Sequence, residues 1–433
     1  MKTKSLGGAF VTMSQPGCER SPFRNRECAS RWTAPQSCGP RVRQIMKDIL
    51  IALAVSMFAA NGISAQEIES DEDRPFDEGG IYDKPYLTRL RGRTHIGGYT
   101  ETAFRFEREE GVKEELSFEM VRFNLFTFAR VSDRLRVAAE IEFEEGGNEI
   151  TMELAIIDFE IHPSLNFRAG ILLSPLGKFN LAHDSPANEV TDRPLVSTQI
   201  IPTTLSEPGM GFYGELHPTT QSRLTYELYL VNGFHTGVLV GSPDGSRVPA
   251  GKANFEDNNA HPSFVGRLGL SPVPKFEVGI STHTGPYNVW TSEGLTIDQR
   301  RDVTIMALDA EGRWGHFGLM GEYARAMIDV PEESGGIFAS DQSGFYAQGM
   351  YRFLEGRIAA LPASRFAAVL RYDVVDFDLA TDGDSGKRVT FGVNFRPTDD
   401  TVFKVDYQHN WIRDPFNTQV RAAAILFSVA SYF

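Results

Sequence analysis

The chain has 433 residues, with 43 Lys and Arg against 57 Asp and Glu, a formal charge of −14 and three cysteines. That balance excludes a nucleic-acid binder working through a broadly basic surface. A content of 23% charged and 41% hydrophobic residues argues against wholesale disorder, and the length permits either three domains or one large barrel.

Residues 1–45 hold all three cysteines, Cys18, Cys28 and Cys38, with scattered Arg and no apolar periodicity. An odd count without C-x₂₋₄-C spacing gives neither a zinc nor a disulfide motif, and no metal, cofactor or catalytic residue is assigned anywhere in the chain. Ile49–Ala60 is an apolar run of 12 residues, too short for a bilayer span. It fits the core of a secretory signal peptide over 46–65, with Ser64 and Ala65 before a cut ahead of Gln66; the alternative is a buried helix of a soluble domain. Met46 then becomes the start, and 1–45 a mis-assigned, disordered upstream extension. Residues 1–65 carry 9 basic and 3 acidic residues, so the remaining 368 carry 34 basic and 54 acidic, net −20, with no cysteine. Residues 66–93, rich in Asp and Glu, read as a solvated periplasmic linker.

From residue 94 onward the period is two. In Leu135–Glu144 the residues Leu135, Val137, Ala139, Ile141 and Phe143 share one face, while Arg136, Glu140, Glu142 and Glu144 share the other. The same alternation recurs in 165–172, 366–374 and 389–396. The predicted strands lie near 94–106, 118–131, 134–144, 150–162, 165–173, 209–217, 224–232, 263–270, 276–284, 302–313, 316–330, 343–353, 365–376, 387–396, 401–411 and 420–433. Short connections alternate with long ones, at about 107–117, 144–149, 174–208, 233–262, 285–301, 331–343, 377–387 and 411–419. Only 354–364 breaks the rule. An even strand count with alternating short turns and long loops predicts an all-β fold, a transmembrane antiparallel β-barrel of 16 strands over 94–433. Short turns would face the periplasm and long loops the exterior.

The last strand ends at Phe433, with Ile425, Phe427 and Val429 on its apolar face. Phe427, Val429 and Phe433 look like the C-terminal signal by which barrel-assembly machinery recognises outer-membrane proteins. Tyr99, Phe104, Phe106, Tyr213, Tyr229, Trp314, Tyr323 and Trp411 fall near strand ends, where aromatic girdles meet outer-membrane lipid and lipopolysaccharide.

Sixteen strands enclose more space than wall side chains fill, so the lumen is expected to hold water and to pass small polar solutes. The longest connection, 174–208, is the third long loop, and a loop of that length is usually functional. It carries Lys178, His183, Asp184, Glu189, Asp192, Arg193 and Glu207. Folded inward, it would set its acids opposite wall arginines and create a transverse field; the alternative places it over the mouth with its charges solvated. By parity the inward cations are Arg122, Arg136, Arg168, Arg267, Arg371, Arg388, Arg396 and Lys404. Of these Arg122, Arg168, Arg371 and Arg388 are the chosen wall candidates.

The run from Phe167 to Asn180 (FRAGILLSPLGKFN), then His183-Asp184, Asp192-Arg193-Pro194 and Gly209-Met210-Gly211, resembles the phosphate-selective porin O and P family. The resemblance implies a 16-stranded channel, a homotrimer, and a constriction formed by this loop. Phosphate selectivity does not carry over. Leu173-Ser174-Pro175 lacks the family's lysine before the proline, Ser206-Glu207-Pro208 lacks an arginine before the glycine, and there is no lysine ladder. Net −20 instead favours weak cation preference or a zwitterionic or neutral solute. Two other classes remain. One is a receptor or adhesion barrel using 234–261 and 285–301, with Asp257-Asn258-Asn259 as a cation contact. The other is a barrel enzyme using His183 with Ser185 or His217 with Ser222, which no nucleophile-elbow or metal-ligand spacing supports.

Overall fold

The structure, a computed structural model, describes Ile81 and residues 93–334 and 336–433. The expected upstream extension, the signal peptide and nearly all of the acidic linker lie outside the described residues. Sixteen strands form one closed antiparallel sheet: β1 (Thr94–Glu109), β2 (Val112–Arg130), β3 (Leu135–Glu144), β4 (Glu149–His162), β5 (Leu165–Leu173), β6 (Ser206–Leu216), β7 (Arg223–Val231) and β8 (Ser263–Val273). The circuit continues through β9 (Phe276–Pro286), β10 (Asp302–Trp314), β11 (Phe317–Ile328), β12 (Asp341–Phe353), β13 (Arg365–Asp376), β14 (Ser385–Arg396), β15 (Thr401–Arg413) and β16 (Gln419–Tyr432). Each strand pairs with the next, and β16 pairs back onto β1 from Tyr99–Tyr432 to Glu109–Ala422. No edge is left open.

Side chains alternate across the wall with the polarity of a soluble barrel reversed. Ile157, Phe159, Leu228, Leu230, Leu370, Phe391, Val405 and Tyr407 point out and are exposed. Asp158, Arg168, Arg371, Asp373, Thr390, Lys404 and Asp406 point in and are buried. No described helix is long and apolar enough to cross a membrane; the strands supply the apolar surface.

Seven connections at one end are short or irregular, including 163–164, 274–275 and 315–316, with 354–364 the longest of them. The other end carries the long loops, with one departure from expectation. Residues 107–117 are not a loop. β1 and β2 continue to a two-residue turn at Glu110-Gly111, both with positive φ (44° and 82°), the geometry whose twist matches a hairpin. The charges there had masked the strand: beyond the membrane both faces are wet, so apolar alternation fades while pairing persists.

The connection 232–262 also departs from an external loop. Phe234, Val238 and Val248 are buried with Val196, Ile200 and Ile201 of the 174–205 connection and with Val303, Ile305, Ala324 and Ile328 of the wall. Gln342 Nε2 donates to the Ser246 carbonyl at 2.9 Å, and Arg247 reaches Asp384 at 2.6 Å beneath a cation–π contact with Phe377. An apolar core therefore fills the long-loop half of the lumen beside β10–β13.

The aromatic girdle is placed differently from expectation. Tyr99 and Tyr229 are buried and Tyr213 bonds to Asp158 and Arg136, so these three face inward. Trp314 and Tyr323 do lie exposed on the outer face. On the short-turn side a chain of ring contacts runs Phe317–Tyr351–Phe353–Phe366–Phe395–Phe403 over five neighbouring strands. Phe433 stacks on Phe123 and exchanges backbone hydrogen bonds with Gly98, closing the seam, while Phe427 is exposed on the outer face.

Gly170 in β5 has φ 132°, and a Cβ there would lie 2.0 Å from the Ala155 carbonyl oxygen of β4. Gly170→Val is expected to cost about 1–3 kcal/mol, read as a lower midpoint in urea unfolding followed by heat-modifiable gel migration.

Candidate functional site

Residues 174–205 connect β5 to β6 and enter the lumen. Asn180 ties the neck, its Nδ2 donating to the carbonyls of Ser174 (2.8 Å) and Leu205 (3.1 Å) while its Oδ1 accepts from Leu205 N (2.9 Å). The segment contains only one turn of 3₁₀ helix (Phe179–Leu181) and one of α-helix (Val196–Gln199). Most of its backbone groups therefore need partners from the wall. Ser281 of β9 accepts from Gly177 N at 2.9 Å, and Glu322 of β11 accepts from Phe179 N at 3.1 Å and Ser197 Oγ at 2.8 Å.

The stretch 183–193 then lies against β13–β16, β1, β2 and β4. His183 Nε2 meets Glu153 at 3.1 Å, and its Nδ1 meets the Asn180 carbonyl at 2.9 Å. Asp184 accepts from Tyr432 OH at 2.8 Å. Lys404 donates to the Ser185 carbonyl at 2.8 Å, and Arg396 to the Pro186 carbonyl at 2.7 Å. Glu189 accepts from Asn394 at 2.6 Å and sits 3.4 Å from Arg396. Thr191 N donates to Asp406 at 2.7 Å. Asp192 pairs with Arg105 at 2.6 Å and Arg388 at 3.6 Å, and its carbonyl accepts from Arg371 at 2.9 Å. The Arg193 carbonyl accepts from Arg388 at 2.5 Å. Lys178 bridges Glu311 (3.2 Å) and Glu277 (3.5 Å).

Sequence parity had selected the cations correctly as inward, yet their positions differ in kind. Arg371 and Arg388 hold loop carbonyls. Arg122 sits among Glu142 (3.2 Å), Glu144 (3.4 Å) and Ser185 (3.1 Å). Arg168 stays within the wall, forked onto Asp158 at 2.7 and 2.8 Å beneath Tyr213. The loop acids were expected opposite wall arginines; Glu189 lies 3.4 Å from Arg396, and Asp192 2.6 Å from Arg105 and 3.6 Å from Arg388. Sequence reasoning missed Arg105, Glu153, Asn180, Glu322 and Asn394. Arg105 and Glu322 were legible as inward by parity, whereas the use of Asn180 as a neck tie has no sequence signal.

Burial alone would raise the carboxyl of Asp192, but Arg388 and Arg105 outweigh it and hold the group below its ordinary range. Glu189 behaves alike, with burial opposed by Arg396, Arg352 and Arg313. Such contacts suit a fixed loop rather than a mobile one.

The loop leaves a partly open cavity against the short-turn halves of β10–β13. Lys178, Glu189, Glu311, Arg313, Met320 and Met350 are among its lining residues. The proposed His–Ser pairs do not form: Ser185 bonds to Glu101 and Arg122, His217 to Glu215, and Ser222 to Thr219. Asp257, Asn258 and Asn259 bond within their loop and to the Pro286 and Tyr287 carbonyls. No metal-holding cluster occurs among the described residues.

Comparison with solved structures places this barrel among known ones. It is similar to the outer membrane channel DcaP of Acinetobacter baumannii, at 12% identity and TM-score 0.53, covering 78% of this chain and 97% of that one. It is similar to the anion-selective porin from Comamonas acidovorans, at 10% identity and TM-score 0.52, covering 78% and 99%. Salmonella typhi OmpF, solved in complex with daunomycin, gives 12% identity and TM-score 0.50, covering 79% and 98%. The fold is that of the outer-membrane porins. An uncharacterised protein of Aquifex aeolicus (strain VF5) is 24% identical over 359 residues, 76% of this chain and 78% of that one. No family model matches, so the likeness to phosphate-selective porins O and P extends only to the porin barrel.

Two outcomes follow from the docking contacts. Carboxyls held low contribute stability that is present above their ordinary values of 3.8 and 4.5 and lost as pH falls through the depressed ones. Amide protection of 184–195, corrected for intrinsic exchange, should therefore be constant from about pH 8 to 5 and fall only below about pH 4. Lys404→Met removes the cation from buried Glu101 and from the Ser185 carbonyl, a loss of about 3–5 kcal/mol for breaking one side of a buried pair. Proteolysis within 174–205 should accelerate in that variant while the barrel stays protected.

Proposed function

We propose that this chain is a porin of the bacterial outer membrane, forming a water-filled channel for passive diffusion of small polar solutes, with 174–205 as its constriction. The observation that carries this reading is a closed 16-stranded barrel, apolar outside and charged inside, whose longest loop is bonded to the inner wall. Wall side chains alone do not fill a barrel of this width. A loop held at its neck and along its length narrows the lumen without closing it by its own motion.

The apolar run at 49–60 and the aromatic end at Phe427, Val429 and Phe433 support export and recognition by barrel-assembly machinery. Trimer formation follows from the resemblance to porins. Outer-membrane lipid and lipopolysaccharide would contact the exposed outer face. Net −20 over 66–433 favours weak cation preference. The likeness to an anion-selective porin extends to fold, not to charge preference.

Purified protein in planar bilayers is expected to give stable conductance steps with a reversal potential of weakly cationic sign. Replacing 184–193 with a Gly-Ser linker should raise unitary conductance by about twofold or more, as removal of a constriction widens a pore. Absence of conductance overturns the channel reading; strong anion selectivity overturns the charge preference. Neutralising Asp184, Glu189 and Asp192 together should chiefly release the loop, seen as noisy, larger currents.

A further inference from the structure

The partly open cavity beneath the loop is lined by charged, amide and thioether side chains. The arginines along β13 and β14 hold the loop, and the charges bordering the cavity are themselves paired, Lys178 with Glu311 and Glu277 and Arg313 with Glu311 at 4.0 Å, so a solute there would exchange into existing ion pairs. Glu311 and Arg313 occupy successive inward positions of β10 just before its short turn. Lys178 reaches in from the loop to lie 3.2 Å from Glu311, and Glu189 borders the same space from the loop. Both signs thus line one cavity within a few side chains of each other. Its apolar surface is soft: Met320 and Met350 lie there, and Gln348 Nε2 donates to the Met320 sulfur at 3.1 Å. Gly318 leaves room beside Met350, since a Cβ would sit 2.8 Å from its Cε.

We infer that this cavity is a subsite for zwitterionic, partly apolar solutes of amino-acid size, with the carboxylate at Arg313 and Lys178, the ammonium at Glu311, and the side chain on Met320 and Met350. The inference rests on the channel reading and names the solute class for it. A singly charged solute would pair with one sign and desolvate the other without compensation, whereas a zwitterion exchanges partners with both. Thioethers accommodate varied apolar groups without a fixed shape. The arrangement discriminates by charge pattern more than by net charge, as a specificity device built on mispairing does.

The test is swelling of proteoliposomes containing the full chain, with L-methionine and L-arabinose as probes. Wild-type protein should pass methionine faster than arabinose. N-acetylmethionine and methionine amide, each lacking one charge, should be slower than methionine. Arg313→Gln and Glu311→Gln should each lower the methionine-to-arabinose ratio by about threefold, the scale of one partly solvated ion pair, while arabinose permeation continues. Equal rates for methionine and its singly charged derivatives in wild-type protein would overturn the inference even if neither variant assembles. Unchanged ratios in folded variants would overturn it as well. In both cases arabinose flux leaves the channel reading standing. Absence of flux for every probe would instead overturn the channel reading itself.

Discussion

Closure of the hydrogen-bond ladder between β16 and β1 is the constraint on which the rest of the molecule depends. Hydrocarbon offers no partner for an N–H or C=O, so a sheet in a bilayer must satisfy every backbone group internally. Closing it over sixteen strands sets a wide circumference, and that width creates the second problem of what to do with the interior. The apolar exterior follows from the lipid; the charged interior follows from the enclosed space, because strict alternation gives each strand one face of each kind.

The interior is then occupied by chain that has almost no secondary structure. A segment of this kind brings unpaired carbonyls into the barrel, and the wall answers with cations: Lys404 to Ser185, Arg396 to Pro186, Arg371 to Asp192 and Arg388 to Arg193. Acids of the loop settle beside the same cations. The lumen's charges thus act first as a docking surface. Beside β10–β13 the opposite solution is used, where the segments 174–205 and 232–262 share an apolar core with the wall. Polar docking on one side and apolar docking on the other fix the loop between them.

The fold was legible because period-two alternation is a direct imprint of a wall with two unlike faces. Sixteen strands lie near the expected ranges, β1 and β2 running on past theirs, and parity places Arg168, Arg371 and Lys404 on the buried inner face. Legibility failed where that imprint is erased. Glu110-Gly111 lies where both strand faces meet water, so a hairpin turn read as the centre of a loop. Tyr99, Tyr213 and Tyr229 were assigned by proximity to strand ends, although parity would have turned them inward. The inward fold of 232–262 depends on apolar residues without periodicity, Phe234, Val238 and Val248, whose partners lie on distant strands. Contact between loop acids and wall arginines was invisible for the same reason: sequence gives facing, not separation.

The hairpin of β1 and β2 makes the rim lopsided. Its ribbon carries Glu107, Glu109, Glu115 and Glu119 with Arg105, Arg108 and Lys113 on paired backbone rather than on a loose loop. Charges of both signs are thereby held at fixed register on one flank of the mouth, Arg105 lying beside Glu107, Glu115 and Glu119. Where the other long connections follow loop geometry, this flank keeps the spacing of a sheet, so its side chains stand at intervals set by the pleat.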